Sequence, residues 1–169
     1  MSQFKRLGEN VKIFETAKLI RPEVIEIGDH TQIDDYTLIN GGKGIKIGRY
    51  SHIASFVSII GGGKFYMGDY CGIAAGSRII TGTNTYKKKL HISAALPKEL
   101  QDLEISFVRM EKDTFIGTNV VVHPGVTIGE GAIIGSNSLV LKDIEPWTIN
   151  VGSPTRVMKM RPKVESQDI

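Results

Sequence analysis

The chain has 169 residues, long enough for one domain with a sizeable core. Its formal charge of +3 is too small to argue for nucleic acid unless the cations cluster on one face. One cysteine excludes an intrachain disulfide and fits a reducing compartment, and no run approaches the ~18 apolar residues of a membrane span.

Met1 to Arg6 lacks the apolar stretch of a secretory signal, so the expected location is cytoplasmic. From Leu7 onward an aliphatic residue returns every six positions. Leu7, Ile13 and Leu19 form one triplet. Ile27, Ile33 and Ile39 follow, then Ile47, Ile53 and Ile59, then Met67, Ile73 and Ile79. The beat resumes at Met110, Ile116 and Val122 and again at Ile128, Ile134 and Val140. Two positions earlier sits a small or β-branched residue, for example Thr31, Ser51, Cys71, Thr114, Val120 and Ala132. Side chains alternate along a strand, so these pairs point inward together. A helix would need apolar residues at i, i+3, i+4 and i+7, and that pattern is absent. The spacing predicts a hexapeptide β-solenoid of about six triangular coils. At ~4.8 Å per coil the prism is on the order of 24 Å between first and last coil.

The departures fall at one corner, the one after the third face. There the spacing widens at Leu19–Ile27, Ile39–Ile47 and Ile59–Met67, and two of these corners are glycine-rich. Between Ile79 and Met110 the same corner carries about 25 extra residues. A loop this long in a compact repeat is functional or disordered. It spans about 80–107, and Pro97 to Leu103 reads as a short helix with Pro97 at its first position. Beyond Val140, Ile149 and Val151 suggest one more strand, and Trp147 suits a cap over the open end of the core. The expected division is a single domain over 1–162 and a flexible tail over 163–169.

Several stretches together resemble the left-handed β-helix, hexapeptide-repeat acyltransferases. They are Ile116-Gly117-Thr118-Asn119 through Pro124-Gly125-Val126-Thr127-Ile128-Gly129, Ile134-Gly135-Ser136-Asn137-Ser138, Lys142-Asp143-Ile144 and Gly152-Ser153-Pro154. Their order is similar to the galactoside, maltose, xenobiotic and polysaccharide O-acetyltransferase branch. The left hand is what the resemblance implies; periodicity would not give it, because parallel crossovers are right-handed in ~98% of cases. The resemblance also implies a homotrimer, with the active site between neighbouring prisms and acetyl-CoA along the coils. By position it assigns CoA contacts to Thr118, Ser136, Leu141, Lys142, Arg156 and Lys159. Small side chains admit the narrow pantetheine arm, and the cations suit its phosphates. Turn positions also favour small polar residues, and a basic tail is also simply solvated.

The family's catalytic histidine does not carry over. Its position is Asn84, which can hydrogen-bond a substrate but cannot act as a general base near neutral pH. The family's sugar-contacting asparagine and aspartate fall on Ala54 and Gly62. Of the four histidines, His123 ends the third face one coil above the loop, and is the first candidate for the base. His91, inside the loop, is the second. His30 and His52 point outward on earlier coils and suit surface or trimer contacts. Lys87-Lys88-Lys89 would suit an anionic acceptor but also reads as a solvated face. Cys71 occupies an inward position and reads as core.

The expected function is acetyl transfer from acetyl-CoA to a hydroxyl of a saccharide or polysaccharide precursor, without a metal. The alternative is N-acetylation of a nucleotide-linked amino sugar for surface glycans, because a neutral amine relaxes the need for a base. A non-catalytic trimeric scaffold and a zinc hydratase on the same solenoid rank below these. The second requires a His-x4-His that the sequence lacks.

Overall fold

A computed structural model describes residues 3–88 and 90–165. The last four residues of the expected tail, and Lys89, lie outside the described residues. Each six-residue beat makes one short strand and one tight corner. The first coil is β1 (Arg6–Leu7), β2 (Lys12–Ile13) and β3 (Lys18–Ile20). The second is β4 (Ile25–Ile27), β5 (Gln32–Ile33) and β6 (Leu38–Asn40). The third is β7 (Ile45–Ile47), β8 (His52–Ile53) and β9 (Ser58–Ile60), and the fourth β10 (Lys64–Met67), β11 (Gly72–Ile73) and β12 (Arg78–Ile80). The long insertion contains β13 (Gly82–Asn84) and β14 (Leu103–Ile105). The fifth coil is β15 (Phe107–Met110), β16 (Phe115–Ile116) and β17 (Val121–Val122). The sixth is β18 (Val126–Ile128), β19 (Ile133–Ile134) and β20 (Leu139–Val140). After it come β21 (Thr148–Val151) and β22 (Arg156–Met160).

Equivalent strands of successive coils pair in parallel, giving three flat faces. The first runs β1-β4-β7-β10-β15-β18 and the third β3-β6-β9-β12-β17-β20. The second runs β2-β5-β8-β11-β16-β19 and continues into β21 and then antiparallel β22. Six coils are complete; Ile144, bridged to Ile128 on the first face, begins a seventh that β21 continues on the second. Ile149 pairs with Ile133, so the extra strand expected there is present.

From the second coil to the sixth, every aliphatic residue of the beat is buried, from Ile27 to Val140. Stacked isoleucines from successive coils make one continuous core. Inward polar residues satisfy corner backbone. Thr31 Oγ1 donates to the Gly48 carbonyl at 2.7 Å, and Ser77 Oγ to the Gly117 carbonyl at 2.8 Å. Cys71 is buried in the same row, and burial pushes its thiol pKa up, consistent with a core residue.

Two corners hold large residues in the left-handed region. His30, Tyr50 and Tyr70 occupy equivalent turns at φ of 57°, 51° and 57°. Their rings stack, with centroids 4.7 Å apart for His30–Tyr50 and 5.5 Å for Tyr50–Tyr70. Tyr36 and Phe56 do the same at the next corner, 5.1 Å apart. Positive φ costs a non-glycine residue about 1–2 kcal/mol, which stacking between coils offsets. His30 therefore belongs to a structural ladder. At the C-terminal end Trp147 lies on Gly131, where an added Cβ would come within 2.4 Å of the ring. Arg161 covers the indole from 5.6 Å and donates to the Asp113 and Gly131 carbonyls. Trp147, at φ 58°, thus occupies the last turn of the same corner row as His30, Tyr50 and Tyr70, on top of Gly131.

Candidate active site

The corner between the third and first faces organises the site. Thr81, just past β12, ties it together. Its Oγ1 donates to the Ile60 carbonyl at 2.8 Å and accepts from the Gly63 amide at 2.9 Å. Its carbonyl accepts from the Ser106 amide at 2.8 Å, joining the start of the insertion to its end. Gly61 has φ 102°, and a Cβ there would sit 2.2 Å from the Gly82 nitrogen. The glycine pair lets the chain leave the prism at this point.

The insertion leaves as an antiparallel hairpin, in register Gly82↔Ile105, Thr83↔Glu104 and Asn84↔Leu103. The helix expected over Pro97–Leu103 is only a 3-10 turn, Lys98–Leu100, because Leu103 is drawn into pairing with Asn84. Beyond Asn84, the Thr85 hydroxyl donates to Asp102, whose carboxylate also faces Lys88 Nζ at 3.3 Å. Thr85 first, then Lys88, hold the Asp102 carboxyl below its ordinary pKa. Lys87 pairs with Glu104 at 3.1 Å. Lys87 and Lys88 thus brace the hairpin, which argues against their serving as the anion-binding cations.

His123 is half-buried and follows β17 directly. Because Ile79 pairs with Val122, His123 stands beside Ile80, at the root of the hairpin. Its amide donates to the Val140 carbonyl at 3.0 Å, which sets Leu141 next to it in the coil above. Asn84 lies four residues beyond Ile80, up to roughly 13 Å along extended chain. No hydrogen bond joins Asn84 to His123 among the described residues, so the proximity expected of this pair is limited to a shared corner. His91 is exposed in the segment before Pro97. His52 Nε2 lies 2.9 Å from Asp34 Oδ2 on the second face, away from this corner.

The predicted donor-binding residues form two groups. Thr118 and Ser136 occupy the corner between the second and third faces in adjacent coils. The Thr118 amide donates to Ser136 Oγ at 3.2 Å. Arg156, exposed, joins them from the start of β22, opposite Val151. Lys159 lies further along β22, opposite Ile149. Leu141 and Lys142 lie at the other edge of the third face, beside His123. Between the two edges run Val121 and Leu139, paired and half-buried. An apolar strip therefore connects small polar residues and a guanidinium to an imidazole. Thr118 and His123 are five residues apart, so the strip is roughly 16 Å long. That chemistry fits an acyl-CoA: cations for phosphate, an apolar floor for the pantetheine arm, and a proton acceptor at the thioester end. Among the described residues no group of His, Cys, Asp or Glu is arranged to hold a metal.

Comparison with known proteins adds to this geometry. The bacterial transferase hexapeptide (six repeats) family matches residues 107–142. The chain is 37% identical over 161 residues to dTDP-4-amino-4,6-dideoxy-D-glucose acyltransferase from Escherichia coli, covering 95% of this chain and 84% of the relative. This chain belongs to the hexapeptide-repeat acyltransferases. It is similar to AntD, an N-acyltransferase from Bacillus cereus solved as a mutant with dTDP and coenzyme A, with a TM-score of 0.90 and 30% identity over 95% of this chain and 86% of AntD. A second AntD structure holds dTDP and 3-hydroxybutyryl-CoA, with a TM-score of 0.89. The solenoid is thus the left-handed β-helix of these enzymes, and the activity is acyl transfer. No helix among the described residues is long and apolar enough to cross a membrane.

Proposed function

We propose that this enzyme transfers an acetyl group from acetyl-CoA to the amine of a nucleotide-linked amino sugar, as a homotrimer. One observation carries the nitrogen acceptor: likeness along nearly the whole chain to an acyltransferase named for a dTDP-linked amino sugar and to an N-acyltransferase. It supports the alternative weighed from the sequence over transfer to a hydroxyl. Asn84 at the family's histidine position agrees with it, since a neutral amine needs no base to become nucleophilic.

The donor supplies a thioester carbonyl to the attacking amine. Thr118, Ser136 and Arg156 hold the donor at the second corner, Lys159 adds charge for its phosphates, and Lys142 lies beside the thioester end. Val121, Leu139 and Leu141 exclude water along the third face. As the C–N bond forms and the C–S bond breaks, the His123 imidazole takes the proton from nitrogen and returns it to the departing thiolate. The products are an amide and a free thiol. Asn84, on the hairpin, hydrogen-bonds the acceptor sugar, and His91 lies on the loop that folds over it.

The trimer is supported by the hairpin itself. Tyr86 (83% exposed), Ile92 (60%) and Leu103 (48%) present apolar surface to solvent. A patch of this kind suits a neighbouring copy. The test is thiol release from acetyl-CoA over a panel of dTDP-linked amino sugars and their hydroxyl counterparts. Release only with amino sugars is expected; release only with hydroxyl sugars would replace this reading by O-transfer. Light scattering should give three times 18.6 kDa.

A further inference from the structure

The first face carries a groove that none of the predicted residues explains. It has a volume of about 610 Å³, within the range of small-molecule sites. Its shape follows from the repeat. Outward positions of successive coils align, so Lys46, Tyr66 and Arg109 stand in one row. Lys64 and Phe107 stand beside them, next to the hairpin corner. In the coil below, Gly44 presents no side chain, and an added Cβ there would meet nothing within 4 Å. The hollow over Gly44 is bordered by Lys43, Lys46 and Lys64.

The charge is unbalanced. Glu26, the one acid in the lining, is held by Lys5 at 2.6 Å. None of Lys43, Lys46 and Lys64 is ion-paired among the described residues. The Arg109 guanidinium is fixed by Glu111 and lies 4.1 Å from the centre of the Tyr66 ring. Phe107 is exposed at the groove wall. Convergent cations beside aromatic surface suit a ligand with adjacent phosphates and a flat base.

We propose that this groove binds the nucleoside diphosphate of the acceptor, which places the sugar over the hairpin corner. The proposal rests on the amino-sugar reading above and adds where the nucleotide lies. Lys46 and Lys64 contact the diphosphate, and the base packs against Phe107 and Arg109. The ADP portion of CoA carries the same chemistry. Its predicted contacts, Thr118, Ser136 and Arg156, lie at the corner that does not border the first face, so the two ligands occupy separate surfaces.

Titration calorimetry of the full chain with dTDP, UDP, ADP and CoA tests this. The variant is Lys46→Ala with Lys64→Ala; both side chains are exposed, so its melting temperature should match wild type. The dTDP dissociation constant should rise roughly tenfold or more, and dTDP binding to wild type should weaken with salt. CoA affinity should not change. Unchanged dTDP affinity in the variant would overturn the proposal, whether or not its oligomeric mass changed. So would loss of CoA affinity in place of dTDP, or a wild type that binds none of dTDP, UDP and ADP. Acylation by wild type separates the two claims. If wild type acylates a dTDP-amino sugar and the variant keeps dTDP affinity, only the groove assignment falls. If wild type binds dTDP through these lysines but acylates no nucleotide-linked amine, only the amino-sugar reading falls.

Discussion

The prism and the hairpin that leaves it follow opposite rules. In the prism every aliphatic residue of the beat from Ile27 to Val140 is buried. In the hairpin region 82–105 no large apolar side chain among the described residues is buried; Tyr86, Ile92, Leu100 and Leu103 are all exposed. Each coil covers the core of the coil below it, so repetition alone stabilises the prism. The hairpin has a short ladder, the Thr85–Asp102–Lys88 cluster and the Lys87–Glu104 pair. Surface pairs of this kind contribute little. The prism therefore holds His123 on a continuously packed core, while the hairpin is held by its ladder and these surface pairs.

Mutations should separate the two regions. His123→Ala should lower kcat by roughly 10²–10⁴-fold if the imidazole carries the proton, with the melting temperature unchanged. An unchanged rate would move proton transfer to His91 or to the substrate itself. Ile59→Ala, inside the prism, should cost about 2–5 kcal/mol in denaturant unfolding, whereas Leu103→Ala on the hairpin should stay within about 0.5 kcal/mol while reducing acylation. Equal losses of stability would mean that the hairpin is part of the core. Gly131→Ala should cost about 1–3 kcal/mol by driving Trp147 off the end of the prism, read as a red shift of its fluorescence.

The smallest effect concerns Asp102. Its carboxyl titrates below the ordinary range because Thr85, then Lys88, favour the charged form. Its contribution to hairpin order is thus fully present above the ordinary aspartate pKa of ~3.9 and is lost as pH falls through the lowered value. Hydrogen exchange at Thr83–Thr85, corrected for intrinsic rates, should quicken in that acidic window in wild type. In Asp102→Asn it should be quick at every pH. Matching profiles would remove Asp102 as the fastener.

Much of this was legible because the solenoid repeats inward positions. Ile33, Ile53 and Ile73 name their own partners, whereas the partial coil breaks the beat: its buried residues are Thr148 and Asn150, and Ile149 stands over the outward Ile133. The aromatic ladder was legible in principle, since His30, Tyr50 and Tyr70 are spaced one coil apart, but stacking needs the turn geometry that brings equivalent corners together. The hairpin was not legible. Gly82-Thr83-Asn84 has no apolar alternation, and its partner Leu103 lies across a stretch that reads locally as helix. The groove was hidden for the same reason: the insertion separates Tyr66 from Arg109 in sequence while the register sets them side by side. Of the proposed donor contacts, all assigned through the family resemblance, Thr118 and Ser136 share a corner because the beat repeats, whereas the reversal of β22 is what brings Arg156 to that corner.

The central claim is transfer to nitrogen, and the bond in the product tests it most directly. Wild type, acetyl-CoA and dTDP-4-amino-4,6-dideoxyglucose should give a product heavier by one acetyl group that survives hydroxylamine, as an amide does. An acetyl group removed by hydroxylamine would mark an ester and contradict it.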